Sequence, residues 1–149
     1  MKFSTRIDTN RPAGDLFDTV ANFPRIERML TRRGAAVTRI DPAQDSENGI
    51  GWIIGFDWRG QARQLRLEVT RHDRPDRMSM SGQSEALDVD IDATVVALGH
   101  SRSRLLFETD LRPRNMRARL MIQTAKLAKP QLDERYARRI AGYLADLSA

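Results

Sequence analysis

An alternation of apolar and polar residues runs through the middle of the chain and limits its fold more than any other feature. Large apolar side chains stand at every second position over residues 52–58, 65–69 and 87–95. This period of two is typical of strands with one buried face. Turn-forming pairs, such as Arg59 with Gly60 and Gly99 with His100, separate the strands. The region therefore predicts a meander of antiparallel hairpins that buries one face of a sheet.

The N-terminal part predicts one strand followed by two short helices. Residues 2–8 alternate like the central strands. Pro12 suits the first position of a helix, where the missing N–H of proline costs nothing. Pro24 ends this helix and can start a second one, which reaches Gly34. A second strand over 35–41 and a turn-rich loop over 42–49 complete this part.

A long helix is predicted from Asn115 to the C-terminus. Pro113 ends the last strand, and the Asn115 side chain can accept a hydrogen bond from the first helical turn. Pro130 is expected to kink the helix, because its ring removes one backbone hydrogen bond. The predicted sheet-facing stripe consists of Met116, Leu120, Met121, Thr124, Ala125, Leu127, Ala128, Leu132, Tyr136, Ile140, Tyr143, Leu144 and Leu147.

Composition excludes several classes of protein. None of the 149 residues is a cysteine, which rules out disulfides, thiolate metal sites and cysteine nucleophiles. No linker, repeat or low-complexity tract divides the chain, so we expect a single domain over residues 1–149. The N-terminal residues lack the apolar segment of a secretory signal, and no apolar run approaches the ~20 residues of a membrane-spanning helix. A cytoplasmic protein is predicted.

The net charge of +5 favours anionic partners such as RNA or an acidic lipid surface. However, the 25 lysines and arginines are distributed over the whole chain among 20 acidic residues. No basic run contains the aromatic residues of a nucleic-acid stacking surface. A solvated, arginine-rich surface is therefore favoured over a nucleic-acid site, and transient contact with a membrane surface is compatible with the charge.

Three parts of the chain resemble a known superfamily. They are RPAGDLFDTVANFPRIERML at residues 11–30, the glycine-flanked GIGWIIGFDWRG at 49–60, and the long closing helix. Together with the order of elements, they resemble the START-like SRPBCC superfamily and, within it, the bacterial polyketide cyclase/dehydrase and lipid-transport branch. The resemblance covers essentially the whole chain.

The resemblance implies an α+β helix-grip fold. In this fold a sheet of about seven antiparallel strands wraps around a long C-terminal helix, with two short helices after strand 1. It also implies a deep hydrophobic cavity between sheet and helix, which relatives use to bind lipids, sterols, polyketides or quinone-like molecules.

The expected cavity lies between the inward rows of the sheet and the helix. Aromatic residues and methionines in these rows suit an apolar guest of irregular shape, and small helix residues before Pro130 leave space. The predicted ligand-binding residues are Trp52, Ile54, Phe56, Trp58, Arg63, Leu65, Leu67, Met78, Met80, Val89, Ile91, Phe107, Thr109, Met116, Leu120, Met121, Thr124, Ala125 and Ala128.

Arg63 is the charged member of this set. It has the same orientation along its strand as Leu65 and Leu67, which places it at the cavity mouth, since a deeply buried unpaired charge is costly. At the mouth it can orient a ligand carboxylate or phenolate. An arginine that extends to solvent at the sheet edge, without any ligand, is the alternative.

No catalytic motif is recognisable, and we expect neither a cofactor nor a metal. Asp88, Asp90 and Asp92 have the spacing of an outward row on a strand, paired with Arg66 or Arg104, rather than that of a calcium loop.

The leading hypothesis is binding or transport of a small hydrophobic ligand. One alternative is an aromatase/cyclase-like enzyme acting on a polyketide-type substrate, with its inward polar groups as candidates: Arg63, Thr109, Gln123, Thr124 and Tyr136. Another is a basic interaction module for ribosomal RNA or an anionic membrane surface.

Overall fold

The computed structural model describes residues 1–40 and 49–149. Within these ranges it contains seven strands and four helices. The strands are β1 (Lys2–Thr9), β2 (Ala36–Arg39), β3 (Gly51–Trp58), β4 (Gln61–Asp73), β5 (Arg77–Gln83), β6 (Leu87–Ala97) and β7 (Ser103–Pro113). The helices are α1 (Ala13–Val20), α2 (Phe23–Arg32), α3 (Met116–Lys126) and α4 (Lys129–Ser148).

The strands form one antiparallel sheet in the order β1-β7-β6-β5-β4-β3-β2. Strands β3 to β7 pair with their neighbours in the chain, so the predicted meander is confirmed. β1 pairs with β7, which makes β1 and β2 the two edges. This architecture is the predicted α+β helix-grip fold. Residues 42–48 of the predicted loop lie outside the described residues.

The two short helices cover the inward face of the sheet. Leu16 and Phe17 of α1 are almost fully buried. Asn22 caps α2 by accepting a hydrogen bond from the Arg25 N–H at 3.2 Å, and Pro24 lies within the first turn of α2. The core that they close consists of Leu16, Phe17, Val20, Phe23, Trp52, Leu67, Val69, Met78, Ala93, Val95, Leu105 and Leu144.

The predicted long helix is divided in two. α3 ends at Lys126, and α4 begins at Lys129 with Pro130 in its first turn, so the predicted kink is a complete interruption. At the other end of α3 the predicted N-cap is confirmed, since Asn115 Oδ1 accepts a hydrogen bond from the Ala118 N–H at 2.8 Å. Along the described ranges, no helix combines the length and apolar character needed to cross a membrane.

The predicted apolar stripe is correct for α4 and wrong for α3. Ile140 and Leu144 of α4 are buried, as expected, whereas the buried residues of α3 are Ala118 and Ile122. At about 100° per residue, Ala118 and Ile122 lie on the same side of α3, since they are about one turn apart. The residues on the other side are exposed, namely Met116, Leu120 and Thr124 of α3 and, just past its end, Leu127 and Ala128. Apolar residues occur on both sides of α3. The stripe with the larger side chains is predicted to face the sheet, but the structure exposes it to solvent.

The outward face of the sheet is polar. Asp90 pairs with Arg112, and Asp92 accepts a hydrogen bond from Arg77 Nη2 at 2.8 Å. Asp88 lies 3.7 Å from the Arg114 guanidinium. The prediction that Arg104 pairs with this row is wrong, because Arg104 binds Asp8 on the neighbouring strand β1. Arg66, the other predicted partner, pairs with Glu68 of its own strand.

Candidate functional site

An open groove lies at one end of the sheet, where the β3–β4 hairpin faces the β5–β6 turn and the start of α3. β4 begins at Gln61, but its pairing with β5 starts only at Arg66, so the hairpin projects past β5. The wider part of the groove has a volume of about 600 Å³ and lies between the hairpin and residues 83–87. An adjoining part of about 380 Å³ reaches α3. We call the whole feature the hairpin groove.

The two parts form a continuous site because they share lining residues. Both are lined by Trp58, Gln61, Arg63, Glu85 and Ala86. The volumes are in the range of small-molecule sites in proteins.

Aromatic side chains form the apolar wall of the groove. The aromatic residues on the inward row of β3 are Trp52, Phe56 and Trp58, and their exposed fractions rise along the strand from 4% to 38% and 42%. The row therefore passes from the core into the groove. Arg59 and Gly60 form the hairpin tip with φ values of 52° and 75°, a turn whose left-handed conformation matches the strand twist. The Arg59 guanidinium lies 5.1 Å from the centre of the Trp58 ring.

Arg63 supplies the charge beside this aromatic wall. It lies directly opposite Phe56 in the β3–β4 register. Its Nη2 donates a hydrogen bond to Gln61 Oε1 at 2.9 Å. Its Nε is buried and has no hydrogen-bond partner within the described ranges. A buried donor without an acceptor is destabilising, so Arg63 Nε has an unused hydrogen-bonding capacity in this structure.

The groove as a whole is electropositive. Its described lining contains one acidic residue, Glu85, and five arginines: Arg59, Arg63, Arg66, Arg114 and Arg117. Arg114 also stabilises the β5–β6 turn by donating to the Ser84 carbonyl at 2.6 Å. Such an excess of guanidinium groups attracts anions and binds carboxylates with favourable geometry.

A second cavity lies under α2 and is too small for a ligand. It measures about 40 Å³ and has an almost wholly apolar lining. Trp52, Ile54, Leu67 and Met80 of the predicted set border it, together with Phe23, Ile26, Glu27, Leu30 and Val37. Drug-sized ligands need several times this volume. The interior beneath the two short helices is therefore nearly filled by side chains.

Trp52 is held in this interior by specific contacts. Its ring meets Phe23 edge to face with 5.2 Å between the ring centres. Its Nε1 donates a hydrogen bond to Glu27 Oε1 at 2.8 Å, and Arg39 Nε donates to the same oxygen at 2.7 Å. Burial by itself would raise the pKa of Glu27, but the bonds from Trp52 and Arg39 outweigh it and hold the pKa below its ordinary value.

The structure separates the predicted site residues into several groups. Phe56, Trp58, Arg63 and Met121 line the hairpin groove. Met78 and Val89 are buried in the core, and Ile91 and Phe107 pack against it. The part-buried residues Leu65 and Ala125 lie outside the linings of both cavities. The exposed residues are Met116, Leu120, Thr124 and Ala128.

Sequence reasoning missed the residues on the far side of the groove. Arg114 lines it from the link between β7 and α3, Arg117 from the first turn of α3, and residues 84–86 from the β5–β6 turn. The available signal is the basic segment 112–119, which contains four arginines and no acidic residue.

The polar candidates for catalysis do not converge. Tyr136 of α4 and Thr109 of β7 have their hydroxyl oxygens 3.0 Å apart, and burial raises the pKa of Tyr136. Thr109 of β7 is in register with Val69 of β4 across the intervening strands. Arg63 lies six residues before Val69 on β4, which is about 20 Å along the strand. Thr124 is exposed and donates to a carbonyl of its own helix, and Gln123 is exposed.

Solved structures with the same arrangement cover almost the whole chain. The Zhui aromatase/cyclase from Streptomyces sp. R1128 superposes with a TM-score of 0.66 at 10% identity, over 99% of this chain and 93% of that one. Norcoclaurine synthase from Thalictrum flavum gives 0.64 at 12% identity, over 99% and 84%. A START superfamily protein from Mycobacterium smegmatis gives 0.55 at 14% identity, over 90% and 95%.

The comparisons with sequences find no such similarity. No protein-family model matches the chain, and no curated protein matches it. The structural neighbours share 10–14% identity with it, a level at which only the fold can be compared. The chain has the START-like helix-grip fold that its sequence resembles.

Proposed function

We propose that the protein binds a small hydrophobic molecule with an acidic group, such as a carboxylate or phenolate, in the hairpin groove. The observation that carries this proposal is the buried, unpaired Nε of Arg63 beside the half-exposed rings of Phe56 and Trp58. The rings offer apolar contact, and the guanidinium offers a charged hydrogen bond. The surrounding arginines strengthen the preference for an anion.

The proposed site overlaps only in part with the cavity that the sequence predicts between the sheet and the C-terminal helix. The small cavity under α2, which four of the predicted residues border, measures only about 40 Å³, and this favours the hairpin groove as the place for a ligand. The hairpin groove lies at one end of the sheet, and its smaller part reaches α3, the first of the two C-terminal helices. A ligand there would bury ~400 Å² of apolar surface, which contributes about 10 kcal/mol before the costs of association and is compatible with micromolar affinity.

Laurate and dodecanol provide a matched pair of ligands for a test, because they share a chain length and differ in charge. We expect laurate to bind at least about tenfold more tightly than dodecanol, since a charge-assisted hydrogen bond adds over 1 kcal/mol. Arg63→Leu should remove this preference. Ala86→Trp should fill the groove and abolish the binding of both compounds. Isothermal titration calorimetry measures the affinities of all three proteins for both compounds.

Arg102→Leu is the matched control, because Arg102 is exposed in the β6–β7 turn at the other end of the sheet. It should bind laurate like the wild type. An unchanged laurate preference in Arg63→Leu would show that Arg63 does not orient the ligand. Native mass spectra without any adduct after exposure to lipid extracts, together with no binding of either compound, would reject ligand binding altogether.

The cyclase alternative needs an acid and a base that converge on one substrate. In the described residues, Arg63 lies far from the Tyr136–Thr109 pair, and Thr124 points away from the sheet. Binding without chemistry is therefore the function that the geometry supports best.

A further inference from the structure

α3 carries an exposed apolar stripe. Met116, Leu120 and Leu127 have exposed fractions of 66%, 56% and 87%. At 3.6 residues per turn they lie within about 40° of one another. The buried residues Ala118 and Ile122 lie on the opposite side of the helix. We call Met116, Leu120 and Leu127 the outer stripe of α3.

Basic residues flank the outer stripe on both sides. On the helical wheel, Arg117 lies on one side of it, and Arg119 and Lys126 lie on the other. None of these three cations forms an ion pair within the described part of the chain. Between Asp110 and Asp133 the sequence contains no acidic residue. This face of the molecule therefore combines apolar side chains with uncompensated positive charge.

The rim of the hairpin groove continues this surface. Arg117 and Met121 line the groove from α3, and Trp58 and Arg59 line it from the hairpin tip. The Trp58 ring is 42% exposed, with the Arg59 guanidinium over it. Tryptophan and arginine are favoured at membrane interfaces, where one end of the side chain is apolar and the other is polar. Both sides of the groove mouth thus combine exposed apolar side chains with positive charge.

We propose that the outer stripe of α3, with Trp58 and Arg59, docks on a bilayer that contains anionic phospholipid. An exposed apolar stripe between cations is the pattern of a helix that lies in a membrane interface. The cations are attracted to acidic head groups, and the apolar side chains enter the acyl boundary. RNA would use the cations but would leave the stripe in water. A second copy of this positive face would be repelled by the first.

Membrane docking does not depend on any ligand in the groove, and it can be tested without one. If the groove binds a hydrophobic ligand as proposed, docking also affects how that ligand enters. A bilayer in contact with both rims would lie against the groove mouth, so a hydrophobic ligand could move between membrane and groove without crossing water.

Vesicle flotation tests the proposal with two triple variants of the full chain. The wild type should float with vesicles of equal parts phosphatidylcholine and phosphatidylglycerol, and at least about tenfold less with pure phosphatidylcholine. The serine variant carries Met116→Ser, Leu120→Ser and Leu127→Ser. It keeps all the cations, and its binding to acidic vesicles should be about tenfold lower. In the glutamine variant, Arg117→Gln with Arg119→Gln and Lys126→Gln should lower binding similarly and reduce its dependence on salt.

Val96→Ser with Leu98→Ser is the matched apolar control. These residues are each 39% exposed and lie at the β6–β7 end of the sheet, so vesicle binding should be unchanged. All the replaced outer-stripe residues are exposed, so thermal unfolding measured by circular dichroism should change little. Trp58 should shift its fluorescence emission to the blue when acidic vesicles are added, because its ring leaves water.

Three results would overturn the proposal. The first is an absence of wild-type binding to acidic vesicles, and the second is undiminished binding by the serine variant. The third is a wild-type dimer in size-exclusion chromatography that the serine variant converts to a monomer, since a second copy would then cover the stripe. The surface would be a nucleic-acid site instead if the protein bound a mixed-sequence RNA but no vesicles, and if the glutamine variant, but not the serine variant, lost the RNA binding.

Discussion

Gly82 shows how closely β4 and β5 approach each other on the inward face of the sheet. It pairs with Leu67 across the two strands. A Cβ atom at this position would lie 2.7 Å from the Arg66 carbonyl oxygen and 3.0 Å from Leu67 Cδ1. The backbone oxygen cannot move without disturbing the pairing of the strands. Glycine is therefore required here for space rather than for an unusual backbone conformation.

At this scale we predict that Gly82→Ala lowers the free energy of unfolding by about 1–3 kcal/mol, the typical cost of overpacking. Gly142→Ala is the matched control, because a Cβ there has no neighbour within 4 Å. Gly142 lies inside α4, so alanine should stabilise the protein by about 0.5–1 kcal/mol. Urea denaturation measures both values. Equal stability of the wild type and Gly82→Ala would contradict the steric argument.

At the scale of secondary structure, α3 and α4 behave as separate elements. The break at residues 127–128 gives α3 its own start and end, and α3 has contacts with β7 at the groove end of the sheet. Its first turn contributes Asn115, Arg117 and Ala118 to the groove lining. The position of this turn therefore sets the width of the groove.

We predict that Asn115→Ala destabilises the protein by about 1 kcal/mol, because the Ala118 N–H loses the capping oxygen that it meets at 2.8 Å. Asn115→Asp should retain the stability, since a carboxylate also caps a helix and interacts favourably with its dipole. Thermal unfolding of the three proteins distinguishes these cases. If Asn115→Asp lost as much stability as Asn115→Ala, the missing helix cap would not be the cause of the destabilisation.

At the scale of the whole molecule, Glu27 joins three elements around one carboxylate. It belongs to α2 and accepts hydrogen bonds from Trp52 of β3 and Arg39 of β2. The pKa of Glu27 is lower in the folded protein than the ordinary value of 4.5. The ionised form therefore stabilises the fold at pH values above 4.5, and this contribution is lost as the pH falls through the lowered pKa.

We predict that Glu27→Gln is less stable than the wild type by about 1 kcal/mol at pH 7, because the charged acceptor is lost. The difference should shrink as the pH is lowered below 4.5, since the wild type then also carries a neutral side chain. Urea denaturation of both proteins over a pH series measures this difference in stability. Glu134→Gln, which removes a charge from an exposed position on α4, should have little effect at pH 7. A difference that stays constant from pH 7 to pH 3 would contradict this assignment.

The sequence by itself determined the local architecture of this protein. The alternation that places Trp52, Phe56 and Trp58 on one row follows from the geometry of a single strand. The cap at Asn115 and the disturbance of the helix near Pro130 depend on the backbone chemistry of neighbouring residues, although the sequence predicts a kink where the structure has a complete interruption. These features need no knowledge of distant contacts, so local patterns were sufficient to predict the meander and the short helices, whereas the helix-grip fold was implied by the resemblance to the START-like superfamily.

Only the tertiary structure decided which side of α3 is buried and where the groove lies. Both sides of α3 carry apolar residues, so periodicity could not choose between Met116 with Leu120 and Ala118 with Ile122. The groove exists because β4 projects past β5 and brings Arg63 near Arg114, a consequence of strand register. The rotation of α3 is set by packing against segments that are far apart in sequence, and the projection of β4 depends on where β5 ends beside it, so apolar periodicity alone specifies neither.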